Sequence, residues 1–138
     1  MKTYSPGDVS TIIDGNIMTG FADGSMVKGA RDEDAFSYTP STSGGGTRTK
    51  SSSRAGKVTL TLQQSSESNK VLSALIKKDE DSSDAIVPIL IRDNSGFTVI
   101  KAESAYLVKW PDFELSKELA DHEYVFQCEN LDIFLGGN

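Results

Sequence analysis

Between Lys57 and Lys78 the hydrophobic pattern switches once, from alternation to helical spacing, and this switch constrains the fold most. In KVTLTLQQ, Val58, Leu60 and Leu62 alternate with Thr59, Thr61 and Gln63, the signature of a strand with one face in a core. In SSESNKVLSALIKK, Val71, Leu72, Leu75 and Ile76 fall on one helical stripe. Ser65 or Ser66 can accept hydrogen bonds from the first free N–H groups, and Lys77 and Lys78 lie near the negative C-terminal end. The acidic run KDEDSSD is expected to stop the helix. These seven apolar residues are the predicted core.

The flanking sequence reads as strands. VSTIIDGNIMTGFADGSMVKG holds two turn dipeptides that accept positive φ, Asp14-Gly15 and Asp23-Gly24. The next residues are predicted extended, with an acidic cluster at Asp32, Glu33 and Asp34. Downstream, AIVPILIR is a short apolar run whose Pro88 suggests an edge or a strand start. Asp93–Gly96 turns it into FTVIKAESAYLVKW, Pro111 ends that run, and DFELSKELADH is a connection with room for a helical turn. EYVFQCENLDIFL is the last strand-like segment. The order predicts a mainly β (α+β) fold: a β-sandwich or partly closed barrel with one flanking helix, as a single domain over residues 1–138.

TPSTSGGGTRTKSSSRAG, residues 39–56, interrupts this order with a long stretch that has almost nothing to bury. Its charge is all positive (Arg48, Lys50, Arg54), although the chain carries −6 overall. Loops of this length are functional or disordered, and the composition predicts an extended flexible hairpin loop.

Composition excludes several chemistries. A chain of 138 residues with one cysteine has neither an internal disulfide framework nor a multi-cysteine metal site. The N-terminus lacks an apolar signal region, and no apolar run approaches the length of a bilayer span. A soluble protein made in a reducing cytoplasm is expected, with no membrane binding. The acidic balance opposes tight nucleic-acid binding, which needs Lys and Arg against phosphates. Asp32–Asp34 and the run Asp79, Glu80, Asp81 lack the spaced oxygens and glycine of a calcium loop, and SGGG lacks the lysine of a phosphate loop. His122 stands alone without a catalytic partner set, and Cys128 alternates with Tyr124 and Phe126 as a core position. No enzyme, cofactor or metal is expected; self-assembly remains.

SRAGKVTLTLQQSSESNKVLSALIKKDE resembles the strand-to-helix centre of tail tube proteins from contractile-tailed bacteriophages. VPILIRDNSGFTVIKAESAYLVKWPDFELSKE is similar to that family's hairpin with a central Asp and Gly. YSPGDVSTIIDG and YVFQCENLDIFLGGN match its beginning and its last strand. The resemblance implies a virion structural protein, assembled in the host cytoplasm as hexameric rings stacked into a tube. DNA would pass through the lumen without specific binding, and the sheath, tape-measure and baseplate proteins would be partners. On that reading Thr59, Thr61, Gln63, Glu103, Glu123 and Glu129 are candidates to face the lumen. Arg48, Lys50 and Arg54 would reach a neighbouring ring or subunit, meeting Asp32–Asp34 or Asp79–Asp81. A type VI secretion tube of the haemolysin-coregulated type, a baseplate ring and, in another class, a carbohydrate-binding β-sandwich are the alternatives.

Overall fold

The computed structural model describes residues 9–22, 27–94, 96–113, 118 and 120–136. Asp23-Gly24 and most of the connection after Pro111 lie outside the described residues. In chain order the elements are β1 (Val9–Ile13), β2 (Asn16–Ile17), β3 (Val27–Arg31), β4 (Phe36–Pro40), β5 (Gly46–Lys50), β6 (Gly56–Gln63), α1 (Ser68–Ser82), β7 (Val87–Asp93), β8 (Val99–Leu107), β9 (Asp121–Cys128) and β10 (Leu131–Phe134).

Eight strands form one antiparallel sheet in the order β2-β1-β7-β8-β9-β6-β3, with β10 also paired to β8. The β1–β2 turn is built by Asp14 (φ 52°) and Gly15 (φ 79°), the two positive angles that a tight hairpin of this hand requires. Alternation puts Val58, Leu60 and Leu62 of β6 in the core beside Tyr124, Phe126 and Cys128 of β9 and Val87, Ile89 and Ile91 of β7. Leu72 and Ile76 of α1 join the same buried cluster, with Val71 and Leu75 half-buried against it. Each large side chain in it contributes about 1.5–3 kcal/mol by leaving water. Among the described residues the sheet stays open and no closed barrel forms; β2 and β3 end the main path, and β10, in a ladder with β8 alone, has a further open edge.

The helix is longer than its sequence suggests. It runs through Lys77, Lys78 and the acidic residues to Ser82, because Asp and Glu are only modestly poorer helix formers than Lys. Ser83, at φ 54°, ends it by donating its N–H to Asp79 O at 2.8 Å. The two lysines therefore sit inside the helix and not in its last turn. At the other end Ser66 Oγ accepts from Ser68 N–H at 3.2 Å and donates to Thr19 O.

One level of the sheet is irregular. Val87 opposes Ala105 but Ile89 opposes Ala102, so β8 holds an extra residue there, near Glu103 and Ser104. Pro88 lies opposite that bulge, where its missing N–H removes no regular rung. Its position is near the start of an interior strand, not on an edge. The chain between β9 and β10 slips in the same way: Cys128 and Leu131 are both buried with two exposed residues between them. The ladder to β8 nevertheless keeps one register from Leu107↔Phe126 to Val99↔Phe134. Two neighbouring strands thus bulge together, and paired bulges bend and twist a sheet locally.

Residues 39–56, expected as an extended flexible hairpin loop, are paired in the structure at Thr39, Pro40, Gly46–Lys50, Arg54 and Gly56. β4 and β5 form a two-stranded ribbon with a tip at Ser41–Gly45, and every residue of both strands is exposed. Ser51 N donates to Ala35 O at 2.8 Å and Asp32 N to Ala55 O at 3.0 Å, so the ribbon extends the β3–β6 pair outward. Threonine-rich strands held by a glycine turn satisfy their backbone groups on each other, which a polar sequence permits without a core.

Candidate assembly interface

The six residues read as lumen-facing fall into two groups. Thr61 sits opposite Glu123, and Thr59 and Gln63 sit opposite Val125 and Asp121, all on the face of β6 and β9 that points away from the core. This group shares its face with Val125 and with Lys57 and Lys28, so the face is mainly polar and carries both signs of charge. Glu103 and Glu129 instead flank the double bulge, where Glu129 N donates to Ser104 O at 3.1 Å.

The bulge opens a polar cleft of about 530 Å³, lined by Ser52, Arg54, Lys101, Glu103, Ser104, Glu129, Asn130 and Asp132. A second depression of about 480 Å³ shares Ser104 and Glu129 with it and adds Ser53, Ala55, Ile86, Tyr106, Gln127 and Cys128. Ile86 is 64% and Tyr106 44% exposed, so this neighbouring floor is apolar and open. Together they make one groove with an acidic end and an apolar end.

The β4–β5 ribbon is two-faced. Phe36 pairs with Lys50 and Tyr38 with Arg48, and directly opposed residues project to the same side. One face therefore carries two aromatics and two cations. The other carries Ser37, Thr39, Thr47 and Thr49. The guanidinium of Arg48 lies 4.3 Å above the Phe36 ring, and the Tyr38 ring covers Gly46, where any Cβ would collide with it. The sequence shows this face only once the pairing register is known, because Phe36 and Arg48 belong to segments that composition alone separates.

The basic and acidic residues expected to meet across subunits are placed as follows. Arg54 bridges to Asn130 in the cleft. Asp32 accepts from Gln127 Nε2 at 3.0 Å and lies 3.5 Å from Lys57 Nζ. Gln127's amide, with Lys57 beside it, holds the Asp32 carboxyl below its ordinary range. Glu33 accepts from Ser51 Oγ at 3.3 Å, Asp79 from Ala85 N at 3.4 Å, and Glu80 from the Trp110 indole N–H. Asp34 and Asp81 are exposed. Most of this acidic set is already engaged within the chain.

Sequence reasoning passed over Asn69. Its amide nitrogen donates to the carbonyls of Gln63, Gln64 and Ser66, and its oxygen accepts from Tyr124 Oη at 2.7 Å, with His122 Nδ1 at 3.3 Å. This side chain ties the end of β6 to the start of α1 and to β9. His122 thus stands in a structural network. Burial, reinforced by the Asp32 charge, pushes the Cys128 thiol up to about 11. A thiol held protonated in a core is a packing group and not a nucleophile.

The sequence matches, over residues 1–136, the family described as bacteriophage PhiTE tail tube protein. "Structural protein ORF10" of Pseudomonas phage KPP10 is 30% identical, covering 99% of this chain and 84% of that protein. Among solved structures, the cap of the anti-feeding prophage tube aligns with a TM-score of 0.66 at 12% identity, over 97% of this chain and 92% of that one. A chain of the sheath–tube complex of the extracellular contractile injection system PVC aligns at 0.63 and 13%, over 96% and 91%. A chain of the PVC sheath/tube terminator aligns at 0.59 and 13%, over 98% and 99%.

Proposed function

Because this chain belongs to the bacteriophage PhiTE tail tube protein family, and so to the structural proteins of the virion tail, we propose that it is the repeating subunit of a tube built from stacked six-membered rings. The observation that carries this is the match to the tail tube family along residues 1–136, on a fold shared with chains of contractile injection systems. The chain performs no catalysis in this role and uses no cofactor. Its open sheet has outer strands that neighbouring copies can cover, removing edges prone to uncontrolled pairing. Head-to-tail contacts that close around a ring and repeat along an axis give a tube of open length.

Thr59, Thr61, Gln63 and Glu123 form the channel wall in this reading. The carboxylate and the overall charge of −6 repel phosphates, while the hydroxyls, the amide and the neighbouring Lys28 and Lys57 offer only weak, salt-sensitive contacts, so the genome slides through on ejection. The β4–β5 ribbon, with Arg48 and Lys50, reaches a neighbouring subunit. Sheath, tape-measure and baseplate proteins are the remaining partners, and a sheath–tube complex among the fold relatives supports the first. Electron microscopy of purified tails and of concentrated protein tests the proposal: hollow tubes with six-fold end views are expected. Solid fibres, or tails whose tube contains another protein, would overturn it.

The fold match to a tube-terminating cap favours one second reading, a single ring that ends the tube. Copy number decides between them. A repeating subunit is among the most abundant proteins of a purified tail, whereas a cap is present as one ring.

A further inference from the structure

We infer that the groove at the double bulge is the receptor for the aromatic and cationic face of the β4–β5 ribbon of a second copy of this chain. This rests on the reading of the ribbon as an inter-subunit contact and names what it contacts.

Charge and shape support the pairing. The ribbon presents Phe36 and Tyr38 beside Arg48 and Lys50 on one face. The groove presents Ile86 and Tyr106 at one end and Glu103 and Glu129 at the other. Lys101 stands directly across the ladder from Asp132, and with Arg54 also in the wall the three carboxylates of the cleft outnumber its two cations, leaving a net negative charge at the glutamate end. Among the described residues neither the ribbon's cations nor these glutamates form an ion pair with one another or with a neighbour, whereas Lys57 is paired with Asp32. Depressions of about 530 and 480 Å³ have the size of sites that enclose large side chains. Tyrosine and arginine are the residues that most often anchor such contacts.

The occupant comes from another copy. The base of the ribbon is pinned by the Ser51–Ala35 and Asp32–Ala55 hydrogen bonds, and only Ser51–Ser53 separate Lys50 from Arg54 in the cleft wall. The exposure of all ten strand residues shows that the arm, though rooted beside the groove, does not pack into the groove of its own chain. Donor arm and receptor groove are different surfaces, so the contact propagates from copy to copy.

Two charge-reversed chains test this: Arg48→Glu with Lys50→Glu, and Glu103→Lys with Glu129→Lys. Each alone is expected to fold, by circular dichroism, and to lose pelletable tubes by at least about tenfold, because like charges then face each other. An equimolar mixture is expected to recover them, since each reversed arm meets a reversed groove. If the arm variant assembles normally, the ribbon is not a contact and the underlying reading fails with the inference. If the arm variant fails to assemble and the mixture does not recover, the ribbon docks elsewhere and the groove assignment alone is overturned. Should reversal unfold either chain, Tyr38→Cys with Tyr106→Cys gives an independent readout in assembled tails. Disulfide-linked ladders on non-reducing gels support the inference; a link within one chain, or no link, overturns it.

Discussion

At the scale of single residues, stability concentrates where a polar side chain solves several backbone problems together. Asn69 closes the strand-to-helix corner through three carbonyls and accepts the hydroxyl of Tyr124, which is 1% exposed. Asn69→Ala removes the acceptor of that buried hydroxyl, leaving it Ser73, and frees three carbonyls, so it is expected to cost about 1–2 kcal/mol in urea unfolding. The double variant with Tyr124→Phe is expected to lose less than the sum of the two single variants, since the phenol no longer needs a partner. Thr11 is the contrasting case: its Oγ is buried without a hydrogen-bond partner. Thr11→Val removes that cost, and a gain of about 1 kcal/mol is expected in the same assay. Cys128 sets a pH dependence. Burial and the Asp32 charge raise its thiol from 9.0 to about 11, so the unfolded chain ionises first as pH rises. The stabilisation is complete below pH 9.0 and is lost between there and about 11. Tyr124, raised by burial, acts in the same direction. The urea midpoint is therefore expected to fall across this interval, and less steeply in Cys128→Ala.

Among the elements, the β4–β5 ribbon is separable from the rest. All ten of its strand residues are exposed, and Ala35 and Ser51 are already hydrogen-bonded at its base. Replacing residues 36–50 with a short glycine–serine turn is expected to change the stability of the isolated protein by less than about 1 kcal/mol. The same excision is expected to abolish tubes by electron microscopy. β6 and α1 were legible in the sequence because their apolar spacing is dictated by burial within the chain itself, as Val58, Leu60 and Leu72 show. The ribbon was not legible as strands, since Gly46–Lys50 buries nothing and pairing leaves no hydrophobic trace. The cleft was equally hidden. Glu103 and Glu129 are 26 positions apart, and only the register of β8 against the β9–β10 run makes them neighbours.

For the whole molecule, the open sheet is the governing feature. β3 is bonded to β6 on one side only, so amides of Val27–Arg31 that do not pair with β6 face water in the isolated chain. Hydrogen exchange at these amides is expected to slow by at least about tenfold on assembly, while Phe126–Cys128 of β9, paired on both sides, change little. Unchanged exchange along β3 in tubes would show that this edge stays unpaired between copies. The double bulge carries a further consequence, for how such chains change length over evolution. Deleting one residue at Glu103 or Ser104 straightens β8 but throws Val99–Ala102 out of step with Leu131–Phe134. Deleting one at Glu129 or Asn130 does the reverse. Only loss from both segments together restores a plain ladder, so homologues should gain or lose residues at these two places in pairs, and a lone deletion at either should be absent from viable descendants.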